Sequence, residues 1–157
     1  MPDLPAWFLV DTNVLLRSAE PGHPMSAAAS AAIDRLQNSG ERACVVAQNL
    51  IEFRAVCTRP ANVNGLEMTE AQADAEIAGL KRLFHVFTDE PRIFPEWERL
   101  VQAAGAAGKQ NYDARIAAAM RVHGIAKILT FNRADFTRYP EIAVVTPQEV
   151  VQEIARS

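Results

Sequence analysis

Short apolar runs alternate along the chain with longer segments in which apolar residues recur every three or four positions. A short continuous apolar run is typical of a strand buried on both faces, whereas the wider spacing is typical of an amphipathic helix. The runs predict five strands, over residues 7–10, 43–47, 84–87, 125–130 and 143–145. The longer segments predict helices over residues 26–38, 50–59, 69–83, 91–108, 113–124 and 147–155, and a further helix begins just after Asp11.

This alternation of strands and helices favours an α/β fold with a mainly parallel sheet of about five strands, covered by helices on both faces. The crossovers between such strands are expected to be right-handed. No repeat, low-complexity segment or linker divides the 157 residues. We therefore predict a single domain over residues 1–157.

Acidic and amide residues follow the predicted strands at related points. Asp11 directly follows the first strand, and Asn132 and Asp135 follow the fourth. Glu52 lies near the start of the helix after the second strand, and Asp113 opens the helix before the fourth. Ligands of open α/β sheets bind just outside the carboxyl ends of the strands. If the fourth strand lies beside the first, these groups all gather at one edge of the sheet.

Several carboxylates at one edge indicate a bound cation, because like charges a few ångströms apart raise one another's pKa unless a positive charge joins them. Mg²⁺ and Mn²⁺ suit such a site, since Mg²⁺ takes oxygen ligands and often needs only one or two direct carboxylates. The reaction that this arrangement favours is metal-assisted hydrolysis of phosphodiesters. The nearby helix N-terminus is also expected to favour the charged form of Asp113.

Composition limits the possible partners and compartments. A net charge of −3 argues against a protein that holds nucleic acid mainly by bulk charge, but not against a nuclease that acts through metal ions. The two cysteines, Cys44 and Cys57, have apolar neighbours and are expected to be reduced core thiols. The sequence has no signal-peptide pattern and no apolar run long enough to cross a bilayer. These features predict a cytoplasmic protein that does not bind membranes.

The chain resembles the PIN-domain ribonucleases, and most closely the VapC-type toxins of bacterial toxin–antitoxin pairs. The resemblance spans nearly the whole sequence in order. It rests on four segments: Val10-Asp11-Thr12-Asn13-Val14-Leu15, Asn49-Leu50-Ile51-Glu52-Phe53, Gly108-Lys109-Gln110-Asn111-Tyr112-Asp113-Ala114-Arg115, and Ile128-Leu129-Thr130-Phe131-Asn132-Arg133-Ala134-Asp135-Phe136. It implies a three-layer α/β/α fold and Mg²⁺- or Mn²⁺-dependent endoribonuclease activity on RNA.

The resemblance also implies roles for individual acids. Asp11, Glu52 and Asp113 match the three core acids of the family. On this basis Asp11 and Asp113 hold the principal cation, while Glu52 coordinates it through water or positions the attacking water. Many relatives carry a fourth acid where this chain has Asn132. Asn132 can hold a metal-bound water through its amide, or Asp135 can take this place; alternatively, Asp135 only caps the turn before Phe136.

Small polar and basic residues near the acids admit two interpretations each. Thr12, Asn13 and Thr130 can orient the carboxylates and waters, and Thr12 and Asn13 can instead cap the first helix. Four arginines near the acids can contact RNA phosphates or only balance the acidic charge: Arg17, Arg54, Arg115 and Arg133.

VapC-type toxins are neutralised by an antitoxin encoded alongside them, and they commonly form homodimers. The resemblance therefore implies a cognate antitoxin that covers the acidic cleft, with a basic side chain inserted where the metal binds, and a homodimer. Because Asn132 replaces the fourth acid, an alternative is a catalytically impaired PIN-fold protein that binds and acts through its antitoxin. An aspartyl-phosphate phosphatase fits less well, since its typical Asp-x-Asp motif would require aspartate, not asparagine, at position 13.

Overall fold

The computed structural model describes residues 6–156, with side chains described as far as residue 152. The predicted domain limits at residues 1 and 157 lie outside this range. So do residues 1–5, which belong to the N-terminal segment predicted to lack a signal peptide. Five strands form one parallel sheet in the order β3-β2-β1-β4-β5. Their bounds are β1 Trp7–Val10, β2 Arg42–Val46, β3 His85–Phe87, β4 Lys127–Leu129 and β5 Ala143–Val145. The parallel five-stranded sheet is thus confirmed.

Helices connect the strands and cover both faces of the sheet. Their bounds are α1 Thr12–Ser18, α2 Ser26–Asn38, α3 Ala47–Thr58, α4 Glu70–Leu83, α5 Ile93–Ala104, α6 Gln110–His123 and α7 Pro147–Arg156, with short 3₁₀ helices at Ala61–Val63 and Arg133–Asp135. One core cluster joins the sheet to residues of α1 to α4 and α7, and the other joins it to α5 and α6. The three-layer α/β/α architecture is therefore confirmed.

The central strand β1 is buried on both faces, which explains why its sequence is apolar without interruption. Phe8 and Val10 pack into the first core cluster and Leu9 packs into the second, and all three side chains are fully buried. Successive side chains of a strand point to opposite faces, so a strand covered on both faces needs apolar residues at every position. Cys44 on β2 is buried in the second cluster and Cys57 on α3 in the first, and both are free thiols, as predicted.

Several predicted boundaries were wrong by a few residues. The helix predicted over residues 91–108 ends at Ala104, because Gly105 adopts a left-handed conformation (φ 65°) that terminates it. The helix predicted from residue 113 begins at Gln110, so Asp113 lies in its first turn and does not open it. The strand predicted over residues 125–130 is shorter, since Ile125 N–H donates to Met120 O (2.8 Å) and still belongs to the end of α6.

The order of the strands decides where the predicted site forms. Strand β4 pairs directly with β1, with Val10 opposite Leu129, and Asp11 N–H continues the ladder by donating to Leu129 O (3.0 Å). The residues that follow these two strands, Asp11 and Thr130, therefore emerge side by side at the carboxyl edge. Within the described residues, no helix is long and apolar enough to cross a membrane.

Candidate active site

Asp11 and Thr130 form the centre of a hydrogen-bonded cluster that joins the ends of β1 and β4. Thr130 Oγ1 donates to Asp11 Oδ2 (2.7 Å). Asn13 Nδ2 donates to Thr130 Oγ1 (3.1 Å), and Phe131 N–H donates to Asn13 Oδ1 (3.1 Å). Thr130 and Asn13 thus hold the Asp11 carboxylate in one orientation and link segments more than 100 residues apart in the chain.

Asp11 also caps helix α1, a role that the sequence had suggested for Thr12 and Asn13. Asp11 Oδ1 accepts a hydrogen bond from Thr12 N–H (2.8 Å), and the extended backbone of Asp11 is typical of an N-cap residue. The capping assignment to Thr12 and Asn13 was therefore wrong. The Thr12 side chain instead contacts Glu52, and Asn13 Nδ2 donates to Asp11 Oδ2 (3.4 Å).

The Asp11 carboxylate is almost fully buried, with 6% of the residue exposed. Burial and, to a smaller extent, the nearby charges of Glu52 and Asp113 raise the pKa of Asp11 to about 7, although hydrogen bonds from Thr130 and Thr12 lower it in part. The hydrogen bonds therefore do not offset the effect of burial on the pKa of this carboxylate. A cation beside it would favour its charged form.

Glu52 projects from α3 toward α1 and is held by neutral donors on both sides. Gln48 Nε2 donates to Glu52 Oε1 (2.7 Å), and Thr12 Oγ1 lies 3.5 Å from Glu52 Oε2. Asn49 is fully buried and its Nδ2 donates to Thr12 Oγ1 (3.2 Å), which fixes the threonine between the two helices. Burial raises the pKa of Glu52, and the charge of Lys109 partly offsets the increase.

Gln48 connects Glu52 to helix α6. Besides its bond to Glu52, Gln48 Nε2 donates to Tyr112 O (2.9 Å), and Gln48 Oε1 accepts from Arg115 Nη1 (3.1 Å). The Gln48 side chain is buried, so each of these bonds restricts its position. The same residue therefore aligns Glu52 with the first turns of the helix that carries Asp113.

Asp113 is half-buried in the first turn of α6 and faces the other acids. Burial and the charges of Asp135 and Glu52 raise its pKa to about 6, although the charges of Lys109 and Arg138 lower it in part. That the helix N-terminus favours the charged form of Asp113 stays a prediction; the net shift of the Asp113 pKa is upward, because of burial and the neighbouring carboxylates.

Asp135 and Asn132, the two candidates for the fourth acidic position, differ in their burial and in their contacts. Asp135 is half-buried, its carboxylate is 3.6 Å from Lys109 Nζ, and its charge is among the causes of the raised pKa of Asp113. Asn132 is exposed, and its backbone N–H donates to Thr130 Oγ1 (3.1 Å). The turn before Phe136 is closed by a backbone bond from Phe136 N–H to Arg133 O (3.1 Å), so the Asp135 side chain is not needed to cap it.

The donors of this site fit a hard cation. Asp11, Glu52 and Asp113 offer only carboxylate oxygens, which are the ligands that Mg²⁺ and Mn²⁺ prefer. Within residues 6–152, no three His, Cys, Asp or Glu side chains are close enough to enclose an ion together. The acids therefore fit an ion held by one or two carboxylates and by water, rather than a closed protein cage.

Of the four arginines predicted near the acids, only Arg115 joins the hydrogen-bond network of the site. It bonds to Gln48 and forms an ion pair with Asp89 (3.1 Å). The other three pair with acids outside the cluster: Arg17 with Glu20, Arg54 with Asp74 and Arg133 with Glu149. These three pairings favour charge balance over phosphate contact.

An open groove of about 480 Å³ runs past the acids. Glu52 and Asp113 line it together with Gln48, Ile51, Lys109, Tyr112 and Arg115. Lys109 is largely exposed, with 75% of its side chain accessible. The groove therefore combines acids that can hold a cation with basic side chains that can contact an anionic substrate.

Sequence reasoning missed three residues of this network: Gln48, Asn49 and Lys109. Gln48 could have been found from its place four residues before Glu52, since side chains at this spacing meet on one helix face. Asn49 is the third residue of α3, and its Oδ1 accepts from Val46 N–H (3.0 Å) in a capping arrangement. Lys109 lies within a segment that carries the resemblance, but no local pattern indicates that it faces Asp135.

The fold and the site together define a class: an α/β protein whose acidic residues gather at the carboxyl edge of a parallel sheet. The sequence matches the PIN domain over residues 8–142. This match covers most of the chain, and the protein therefore belongs to the PIN domain family. No curated protein sequence matches the chain at a significant level.

Solved structures share the fold at low sequence identity. The VapBC2 complex from Rickettsia felis, bound to a promoter DNA fragment, is similar with a TM-score of 0.68 and 12% identity, covering 89% of this chain and 98% of that chain. VapBC-1 from nontypeable Haemophilus influenzae has a TM-score of 0.66 and 14% identity, with 90% and 98% covered. Mycobacterium tuberculosis VapC20, described as a sarcin–ricin loop cleaving toxin, has a TM-score of 0.55 and 19% identity, with 77% and 86% covered.

Proposed function

We propose that this chain is a Mg²⁺- or Mn²⁺-dependent endoribonuclease, the VapC-type toxin of a toxin–antitoxin pair. The observation that carries the proposal is the approach of Asp11, Glu52 and Asp113 next to an open groove: the charges of Glu52 and Asp113 add to the raised pKa of Asp11, and the charge of Glu52 adds to that of Asp113. A cation relieves this repulsion, and an anionic phosphodiester is the substrate that such a cation would attract. The similarity to VapC20, an RNA-cleaving toxin by its description, supports RNA as the substrate class.

Asp11 and Asp113 would hold the cation, and Glu52 would contact it through water or position the attacking water. Asp135 is a better candidate than Asn132 for the fourth acidic position, because its charge acts on Asp113 and the Asn132 side chain has no charge. Asn132 would then contribute through its backbone bond to Thr130. When bound, the metal supplies a lowered pKa for water and neutralises charge on the phosphate.

The protein's own part in this function is to hold the carboxylates still. Thr130 and Asn13 fix the Asp11 oxygens, while Gln48 and Thr12 fix those of Glu52. Residues that orient metal-binding side chains typically contribute 10- to 100-fold to metal affinity or activity. Lys109, at the rim of the groove, is placed to attract a phosphate of the substrate.

A cognate antitoxin is the proposed partner, because several similar solved structures are VapBC or FitAB complexes. We propose that an antitoxin segment covers the acidic groove, that a basic side chain occupies the place of the cation, and that the toxin is a homodimer that acts as a single domain in the cytoplasm. The first test is whether an antitoxin-like reading frame lies immediately upstream of the gene, followed by expression of the chain with and without its product. The partner should restore growth, co-purify with the chain and suppress cleavage, and partner binding that leaves cleavage unchanged would contradict coverage of the groove.

Cleavage of RNA by the purified chain tests the enzymatic proposal. We expect cleavage with Mg²⁺ or Mn²⁺, loss of cleavage on addition of EDTA, and recovery when the metal is restored in excess. Asp113→Asn should abolish cleavage, because the amide keeps the shape of the carboxylate but removes its charge. Asp34→Asn, on the exposed face of α2, is a matched control and should cleave normally.

The second candidate is a PIN-fold binding protein with impaired catalysis, which the exposed Asn132 in place of the fourth acid favours. Titration calorimetry with Mg²⁺ and Mn²⁺ separates the two. Tight antitoxin binding without measurable metal binding, together with no RNA cleavage, would favour the binding protein. Metal binding that Asp113→Asn removes would favour the enzyme.

A further inference from the structure

A second pocket adjoins the groove of the acids. It has a volume of about 470 Å³, within the range of small-ligand sites, and it shares Tyr112 and Arg115 with the acidic groove. The two cavities therefore meet along one wall. A chain molecule lying in the groove would pass the mouth of this pocket.

Flat aromatic rings form the walls of this aromatic pocket, defined by Phe94, Trp97 and Tyr112. The rings of Phe94 and Trp97 stack with centroids 5.6 Å apart and an angle of 27° between their planes. Trp97 Nε1 donates to Asn111 O (2.8 Å), which fixes that wall to α6. Phe94 and Tyr112 are nevertheless 62% and 67% exposed, which is unusual for aromatic residues of this size.

The aromatic pocket is connected to the acids through a single residue. Gln48 Nε2 donates both to Glu52 Oε1 and to the backbone carbonyl of Tyr112. The position of the Tyr112 backbone is thus tied to that of a proposed catalytic carboxylate. A phosphodiester bound at the acids would place an adjoining nucleotide at the aromatic pocket.

Basic side chains where the two cavities meet favour a nucleic acid over an apolar protein segment as the occupant of the aromatic pocket. Arg115 borders both cavities, and the exposed Lys109 lines the acidic groove beside it. Proteins that bind single strands combine such basic groups, which follow the phosphates, with aromatic rings on which bases stack. Arg115 pairs with Asp89 and Lys109 lies near Asp135, but both basic side chains remain accessible (37% and 75%) and can also donate to a phosphate, which an apolar partner would not use.

We infer that the aromatic pocket is a subsite that stacks one unpaired base of an RNA strand next to the phosphate held at the acids. This inference rests on the proposed function. Stacking on an aromatic ring tolerates different bases, so the subsite would select single-stranded over paired RNA rather than a particular sequence.

Binding of a short single-stranded RNA in EDTA, measured by fluorescence anisotropy, tests the inference without cleavage. A second RNA of the same length, abasic at every position, keeps the phosphates and removes the bases. We expect this abasic RNA to bind the wild type about tenfold more weakly, the size typical of one stacked base. Tyr112→Leu and Phe94→Leu should bind intact RNA about tenfold more weakly and lose this discrimination.

Two further variants make the result specific to stacking. Tyr112→Phe keeps the ring and should bind as the wild type does. Leu83→Ala, at a residue as exposed as Tyr112 (67%) but at the end of α4, should also leave RNA binding unchanged. Wild-type-like affinity and discrimination in Tyr112→Leu would overturn the subsite. So would light scattering that shows a dimer dissociated by Phe94→Leu, since a second copy would then cover the pocket.

The outcome is separable from that of the proposed function. If the wild type cleaves RNA with Mg²⁺ but binds the intact and the abasic RNA equally well, the nuclease stands and the subsite fails. If it binds with base discrimination but never cleaves, the subsite stands and the catalytic proposal fails.

Discussion

Two charged clusters, the Glu96 ion pairs of α5 and α6 and the acids at the carboxyl edge of the sheet, shift carboxylate pKa values in opposite directions. Glu96, on α5, accepts hydrogen bonds from Arg99 (2.5 Å) and Arg121 (2.6 Å), and these arginines hold its pKa below the ordinary value. At the carboxyl edge of the sheet, burial and neighbouring acids raise the pKa of Asp11 to about 7 and of Asp113 to about 6. The Glu96 carboxylate is thus paired with two arginines of the protein, whereas the described contacts of Asp11 and Asp113 include no arginine bonded in this way.

The comparison shows that the number of acids does not by itself define a functional site. Glu96 is an acid whose charge the fold already neutralises, so it needs no ligand and fits a structural role. Asp11 and Asp113 at the sheet edge have no such ion pair among their described contacts, and raised pKa values of this kind are typical of functional sites. We therefore expect a change at Glu96 to lower stability without affecting cleavage, and a change at the acids of the sheet edge to lower cleavage.

The largest expected effect separates the two clusters by activity. Asp11→Asn should lower RNA cleavage by more than the roughly 100-fold upper range for residues that only support a metal ligand. Glu96→Gln should leave cleavage unchanged, because its carboxylate contacts arginines away from the groove. Initial rates at saturating Mg²⁺ measure both. Normal cleavage by Asp11→Asn would remove Asp11 from the site.

A smaller loss is expected when the position of Glu52 is disturbed. Gln48→Ala should reduce cleavage by about 10- to 100-fold. Because the Gln48 hydrogen bond lowers the pKa of Glu52, its removal should also move the acidic limb of the pH–rate profile to higher pH. Gln102→Ala, on the exposed face of α5, serves as the control. An unshifted profile would assign Gln48 a structural role only.

Unfolding as a function of pH tests the raised pKa values. Asp11 and Asp113 bind protons more tightly in the folded than in the unfolded state, so without metal their contribution to stability should fall as pH rises from about 4 to about 7. Metal binding competes with those protons. Mg²⁺ at 100 times its Kd should therefore stabilise the protein by about 2.7 kcal/mol at pH 8, and by much less at pH 5. Equal metal stabilisation at both pH values would contradict this account.

The smallest effect concerns the neutralised cluster. Glu96→Gln should lower the free energy of unfolding at pH 7 by about 0.5 kcal/mol, as is usual for partly exposed ion pairs. Since the folded pKa of Glu96 is lowered, this difference should be present above the unfolded pKa and disappear as pH falls through the folded value. Urea unfolding at pH 7 and pH 3 measures it. Greater stability of the variant at pH 7 would show that the arginines do not stabilise the fold through Glu96.

Much of the fold could be predicted because its signals are local. A continuous apolar run such as Trp7–Val10 identifies a strand buried on both faces, and the three-and-four spacing identifies the helices. The ends were less certain, because they depend on conformations such as the left-handed Gly105, which only the packed helix reveals. The candidates Asp11, Glu52 and Asp113 could be named from their positions after strands and in helix turns.

The sequence by itself determined which residue types stand at the ends of which elements, since propensity and periodicity act over a few neighbouring residues. Only the tertiary structure decided that β4 lies beside β1, and this pairing brings Thr130 to Asp11 across 119 residues of chain. It also decided the pKa shifts and the contacts of Gln48 and Lys109. These depend on burial and on distances between remote segments, because desolvation and charge interactions act through space and not along the chain.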